Sequence, residues 1–414
     1  MKKVLTMFLA VLMIIGILTA MPVAVNAYDS GGFSYNLLAN GTYEISEYNG
    51  TSTPVTIPSA VNGKPVTQIG DYAFVRQPLT GVVIPSSIKV IGSSAFLECS
   101  NLISVTLNNG LEIISDNAFG YCSSLKKITL PSSLKSMGSQ GFVKCSSLTY
   151  ITVPSGVTTM GTGIFSDCIR LSEVEINSPI KQLPTRIFNN CKSLKSFTIP
   201  NTVTEIFSMA FLDCVNLSDI IIPNNVETIS SSAFENCTSL KEIALPQSLQ
   251  VIDFNAFKGC NQVTRVLFPE ALTRIGKEAF AGCDQLNNVI VPSTVAFIGD
   301  KALGYDSLLT KKQDFVISGY ENTSAQSYAQ LNHIYFENLS VPHWILGDIN
   351  GDNVVSISDV VTAQKSIAKS ISLNNTEKIR ADVNKDGYIN VKDVVLLQKY
   401  LAKIPTGTDI GKAV

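Results

Sequence analysis

Two stretches near the C-terminal end carry oxygen-bearing side chains at the spacing that holds a divalent cation: "DINGDNVVSISD", residues 348–359, and "DVNKDGYINVKD", residues 382–393. A twelve-residue calcium loop takes side-chain oxygens from positions 1, 3, 5 and 12, a backbone carbonyl from position 7 and often a water-mediated ligand from position 9, with a residue at position 6 that tolerates a sharp turn. On that template the first loop offers Asp348, Asn350, Asp352, the Val354 carbonyl, Ser356 and Asp359. The second offers Asp382, Asn384, Asp386, the Tyr388 carbonyl, Asn390 and Asp393. Two calcium ions are the expected cofactors. Position 12 is Asp in both loops, where EF-hands carry Glu, and position 6 is Gly387 in one and Asn353 in the other. Asn is the best substitute for Gly in a left-handed conformation, so the first site is expected to be intact but weaker.

The elements that must hold these loops are legible around them. Each loop runs into apolar residues at helical spacing: Val360, Ala363 and Ile367 after the first, Val394, Leu397 and Leu401 after the second. No helical pattern enters the first loop. A loop followed by a helix, duplicated, with Asp at position 12, resembles a type I dockerin over about residues 346–405. The resemblance implies a small all-α, EF-hand-like module that plugs a secreted bacterial protein into a cohesin domain of a scaffold, as in cellulosomes. It implies cohesin contacts through loop positions 10 and 11 and the outward face of the following helix. Those positions are Ile357, Ser358, Gln364, Lys365 and Lys369 in the first half, and Val391, Lys392, Gln398, Lys399 and Lys403 in the second. The helix residues match in type, which suits docking in either of two orientations; Ser358 against Lys392 breaks that symmetry. So small a module has little apolar area, and calcium is expected to supply folding free energy.

The rest of the chain repeats. Nine cysteines, Cys99, Cys122, Cys145, Cys168, Cys191, Cys214, Cys237, Cys260 and Cys283, follow one another at a constant step of 23 residues, and Phe96 to Phe280 keep the same step. Nine equivalent positions cannot all pair within one chain, so a buried column of free thiols is expected rather than disulfides. A unit such as "AFENCTSLKEIALPQSLQVID", residues 233–253, reads as a short helical or irregular arm at Ala-Phe, a turn at Asn-Cys and a half-buried strand that ends at Pro. One unit cannot bury its own apolar face, but a stack of about ten forms a continuous core. Leu-x-x-Ile-x-Leu with Cys at the turn, the 23-residue period and the strand-ending Pro together resemble the BspA-like leucine-rich repeats of bacterial surface proteins. The fold class expected is a leucine-rich-repeat solenoid with parallel strands, mainly β, followed by the dockerin.

The expected organisation is a signal peptide over 1–27, an N-terminal cap over 28–64, repeats over 65–303, a C-terminal cap over 304–340, a linker over 341–345, the dockerin over 346–405 and a tail over 406–414. The signal peptide is read from Lys2 and Lys3, the apolar run from Val4 to about Ala20 and the small-x-small site Val25-Asn26-Ala27. Export follows, with no membrane insertion. Gln77 replaces Cys in the first coil, as suits a wetter terminal edge.

Strand alternation turns Thr106, Thr129, Thr152, Glu175 and Thr198 outward, then Ile221, Ala244, Leu267 and Ile290. The second set is an apolar column and a candidate partner-binding face. With a formal charge of −2 and 15% charged residues, the chain lacks the basic field that nucleic acid or anionic membrane requires. Its two histidines, His333 and His343, have no nucleophile pattern beside them, and Glu173 with Glu175 reads as a solvated strand face. The sole tryptophan, Trp344, lies in the linker. A secreted, monomeric, non-catalytic binding protein is therefore expected, its dockerin on a cohesin and its solenoid on a protein or surface ligand. Two alternatives stay open: an enzyme subunit acting in polysaccharide catabolism, and a free adhesin whose calcium module is structural.

Overall fold

The computed structural model describes residues 28–339, 345–352 and 354–412. The expected signal peptide, most of the linker with His343 and Trp344, and Asn353 of the first loop lie outside the described residues. The chain divides into two units, one centred on the repeats and one containing the calcium loops.

Each coil of the solenoid has three sides. A first strand, such as Tyr150–Val153, ends at a proline whose carbonyl accepts the N–H three residues on, as in Val157 N to Pro154 O at 3.2 Å. The corner leads to a second strand of two residues, such as Thr159–Met160, and the chain returns through overlapping turns. Both strand columns pair in parallel at the repeat step: Ser104 with Lys127 in the first, Ile113 with Ser136 in the second. The second column was not anticipated, because two residues are too few to show alternation.

The arm is a chain of turns that also forms a ladder. Phe96 N donates to Ala118 O, Phe119 N to Gly141 O and Phe142 N to Ile164 O, at 2.8 to 2.9 Å. Residues two before and two after each Phe adopt the left-handed conformation, as at Ser94 (φ 55°) and Glu98 (φ 58°), or Asn117 (φ 53°) and Tyr121 (φ 60°). That conformation is unfavourable for residues other than Gly and Asn. It is offset by the inter-coil bonds it brings into line.

The phenylalanines stack from coil to coil with centroids 4.8 to 5.9 Å apart, all fully buried. The nine cysteines are free and buried. Each thiol donates to the Phe carbonyl of the preceding coil, Cys122 to Phe96 and Cys260 to Phe234 at 3.2 Å, so the column is satisfied as well as small. Burial pushes the thiols up, Cys99 and Cys260 to about 12. In the first coil Gln77 takes over that role, its longer side chain donating Nε2–H to Tyr48 O at 2.9 Å. Tyr48 stacks on Phe74 at 5.1 Å, so the N-terminal strands extend the aromatic column by one ring. At the far end the Lys312 ammonium donates to the carbonyls of Asp284 (2.8 Å) and Leu286 (2.6 Å), oxygens that no further coil would satisfy.

One coil breaks the pattern. Pro184 stands where Gly161 and Phe207 donate their N–H to the preceding coil (Met137 O at 2.8 Å, Leu183 O at 3.0 Å), and Pro has no N–H to give. Asn177 stands where the corner proline is found in the flanking coils, at Pro154 and Pro200. The second-strand sheet stops at Thr159–Met160 and restarts at Gln182–Leu183, while the arm stays bonded through Phe165 N to Ile187 O at 3.0 Å. Strand Gln182–Leu183 pairs forward with Glu205–Ile206, while Glu173–Ile176 pairs with Tyr150–Val153 and ends a short first-strand sheet, as Lys127–Ile128, Asp219–Ile221 and Arg265–Val266 also do. A polar cleft of about 480 Å³ opens at this seam, lined by Glu173, Glu175, Ser196 and Thr198 among others.

The calcium unit contains helices Ile357–Ile367, Asn375–Ala381 and Val391–Leu401. The first and third pack on each other around Val360, Ala363, Val394 and Leu397. The middle helix, entering the second loop, was not foreseen. Residues 406–412, within the stretch 406–414 expected as a tail, are a correction: Ile410 is buried in this core, and Gly411 N donates to Leu346 O (2.9 Å) while Leu346 N donates to Lys412 O (3.1 Å). The closure joins the two ends of the module, which an isolated Ile among polar residues did not signal.

Candidate functional site: a paired calcium module

The two loops share one hydrogen-bonding scheme. In the first, Asp348 Oδ1 accepts from Gly351 N (2.9 Å) and Asp352 N (3.1 Å), Asn350 Oδ1 from Asp352 N (3.0 Å), and Asp352 Oδ1 from Val354 N (2.9 Å). In the second, Asp382 Oδ1 accepts from Asp386 N (3.1 Å), Asn384 Oδ1 from Asp386 N (2.8 Å) and Asp386 Oδ1 from Tyr388 N (3.0 Å). These bonds turn the carboxylates and amides at positions 1, 3 and 5 inward. Gly387 has φ +86° with open space around it, as the sharp turn at position 6 requires.

Position 12 explains the departure from Glu. Asp359 Oδ1 accepts from Ile349 N (2.7 Å) and Asn350 N (3.0 Å), and its Oδ2 accepts from Ser356 N (2.9 Å). Ser356 is the N-cap of the following helix, so Ser356 and Asp359 form a capping box. Asn390 and Asp393 do the same in the second loop. The shorter Asp closes the loop and caps the helix at once. The Ser-x-x-Asp and Asn-x-x-Asp spacings are the only local sequence signal for it. The carboxylates of Asp348, Asp352 and Asp359 bring one oxygen each within 4.8 Å of one another, Asp348 and Asp359 being buried. Three converging carboxylates with hard oxygen neighbours fit a divalent cation such as calcium.

All ten expected cohesin positions are exposed: Ile357, Ser358, Gln364, Lys365 and Lys369, and Val391, Lys392, Gln398, Lys399 and Lys403. Eight lie on the helices, with Ile357 67% and Val391 65% exposed at their first turns. Lys369 and Lys403 are a correction. They follow the C-caps Ala368 and Ala402, each with φ 59°, where Ser370 N donates to Lys365 O and Ile404 N to Lys399 O, both at 2.9 Å. Each helix ends in a Schellman turn with Lys at the position that normally favours Gly.

On the solenoid, Ile221, Ala244, Leu267 and Ile290 are exposed, the three larger ones by 56–57%. Glu173 and Glu175 are exposed on one strand and open to the seam cleft, as a solvated face would be.

The stacked parallel coils define a leucine-rich-repeat protein, and the duplicated loop and helix a calcium-binding module. Comparison gives both a family. The BspA type leucine rich repeat region, in 6 copies, matches residues 67–195 and 181–310, and the dockerin type I domain matches residues 346–402. The chain belongs to the BspA-type leucine-rich repeat family and carries a C-terminal type I dockerin. Among solved structures, a leucine-rich repeat protein from Bacteroides ovatus is 23% identical, covering 75% of this chain and 99% of its own, with a TM-score of 0.49. A leucine rich cell surface protein from Faecalibacterium prausnitzii is 27% identical over 74% and 97%, with a TM-score of 0.44. The pneumococcal vaccine antigen PcpA is 20% identical over 76% and 98%, with a TM-score of 0.49. No curated protein matches the chain. A type I dockerin implies a cohesin as partner and typically binds calcium; both families are non-catalytic and suggest an extracellular or cell-surface setting. Among the described residues, no helix is long and apolar enough to cross a membrane.

Proposed function

We propose that this is an exported, non-catalytic binding protein whose dockerin attaches it to a scaffold cohesin in a calcium-dependent manner, while its repeats hold a protein or surface ligand. The observation that carries the reading is the duplicated loop: the same acceptors at positions 1, 3, 5 and 12, each running into a capped helix with an exposed apolar residue at position 10. Two calcium ions are held, one by Asp348, Asn350, Asp352, Val354, Ser356 and Asp359, the other by Asp382, Asn384, Asp386, Tyr388, Asn390 and Asp393. The ions draw the loop carboxylates together, and this orients Ile357 with Ser358 and Val391 with Lys392 at the start of each helix. Cohesin contacts spread from there along Gln364 and Lys365, and along Gln398 and Lys399, to the turns at Lys369 and Lys403. The apolar column Ile221, Ala244, Leu267 and Ile290 is the solenoid's own contact face, since exposed apolar patches of this kind mark interaction sites.

Calorimetric titration of the full chain against a panel of type I cohesins tests the reading. Binding in calcium that disappears with chelator supports it. Calcium uptake with no cohesin bound by any member moves the free-adhesin alternative to the front.

A further inference from the structure

The last coils present a second feature that the apolar column does not include. Arg274 lies on the second strand column, on the far side of the corner proline from Leu267, and pairs in register with Val251 and Phe297. Its guanidinium lies over two phenyl rings, 4.7 Å from the Phe297 centroid and 5.6 Å from that of Phe254. Both rings are 46% exposed. Other coils stack without a ring at either position. The position of Phe254 is Asp116, Ser139, Thr162, Thr185 and Ser231 in other coils, and that of Phe297 is polar in Ser136, Thr159, Gln182, Glu205 and Thr228 and aliphatic in Val90, Ile113 and Val251, never another ring. Among the described residues, Arg274 makes no ion pair and no side-chain hydrogen bond, while Arg76, Lys135 and Lys258 on other coils each hold a glutamate.

An arginine stacked against aromatic rings has its plane fixed in advance, so little rotamer entropy remains to be lost when its N–H edge is engaged. That edge matches a carboxylate bidentately. Arginines and aromatics held together in this way are the usual energetic centres of protein interfaces. We propose that Arg274, with Phe254 and Phe297, forms an anchor for an acidic segment of a partner protein, the carboxylate meeting the guanidinium and flanking apolar side chains covering the rings. An acidic polysaccharide offers the same charge, but sugars stack on free ring faces, and here the guanidinium occupies a face of each ring. This anchor extends the reading of the repeats as a ligand-binding surface, and it lies apart from the column at Leu267.

The test is selection of a random displayed-peptide library on the immobilised full chain in calcium, with counter-selection on Arg274→Gln. Selected peptides are then measured as synthetic ligands against variants that retain the wild-type unfolding transition. The expected peptides carry Asp or Glu beside apolar residues, and they lose about tenfold or more in affinity with Arg274→Gln and a smaller factor with Phe254→Ser or Phe297→Thr. Peptides without an acid, peptides indifferent to Arg274→Gln, or no selected binders would overturn the anchor. So would Arg274-dependent binding of oligogalacturonate in place of peptide. Peptides lost with Leu267→Ser but retained with Arg274→Gln would overturn the anchor and leave the apolar column standing as the ligand face.

Discussion

In the repeats, ten phenylalanines and nine cysteines are buried in continuous columns, and the thiols among them are neutral donors to backbone carbonyls. In the calcium unit, ten smaller apolar side chains form the core, and three aspartates, Asp348, Asp359 and Asp393, are buried beside them. Taking a carboxylate out of water is costly unless a cation or several donors compensate. The solenoid covers its apolar columns with its own neighbouring coils. On the proposed reading the module takes cations at its loops, because its fold gathers carboxylates such as Asp348, Asp352 and Asp359 within 4.8 Å of one another. The difference separates a constitutive surface from a conditional plug in one chain.

The comparison is broken most severely by removing a position-12 acid. Asp359→Ala takes away the acceptor of three backbone N–H groups and a proposed ligand together, and the calcium affinity of the first site is expected to fall by more than about a hundredfold. Equilibrium calcium titration of the full chain reads this, and thermal unfolding of the repeats stays where it was. The converse is Phe234→Ala, which opens a cavity in the aromatic column and is expected to destabilise the solenoid by about 3–5 kcal/mol with calcium binding unchanged. Denaturant unfolding with and without calcium checks both halves of that statement.

A pH series sharpens the contrast. Burial raises the thiols from 9.0, Cys99 and Cys260 to about 12. Folding therefore favours the protonated form, and this contribution is complete below about pH 9 and is lost as the pH climbs toward 12. The repeats should lose stability progressively across that alkaline window, and a Cys260→Ala variant should lose less. The smallest effect is expected at the helix ends. Lys369→Gly and Lys403→Gly relieve a left-handed lysine and should each stabilise the calcium-bound module by about 1 kcal/mol. A loss of cohesin affinity in the same variants would assign these lysines to the docking face.

What the sequence disclosed followed from how many residues carried each signal. The period of Phe and Cys spans most of the chain, so the stack and its buried thiols were legible, as were two twelve-residue loops with matching oxygens. The second strand column was not, since Val90–Ile91 or Thr228–Ile229 is too short to alternate. The seam depends on one missing N–H, at Pro184, and only the neighbouring coils show what that N–H would have bonded. The placement of Lys369 past its helix reflects a Schellman turn formed without its usual Gly. Ile410 returns to the core through contacts distant in sequence, which local reading does not reach.

The central claim is that one chain holds an ion-independent solenoid and an ion-dependent plug. Differential scanning calorimetry of the full chain, in calcium and again after chelation, tests it most directly. The account predicts two transitions in calcium, of which the one belonging to the repeats keeps its midpoint and enthalpy on chelation while the other disappears. A single transition that shifts as a whole, or two that are both unmoved, would contradict it.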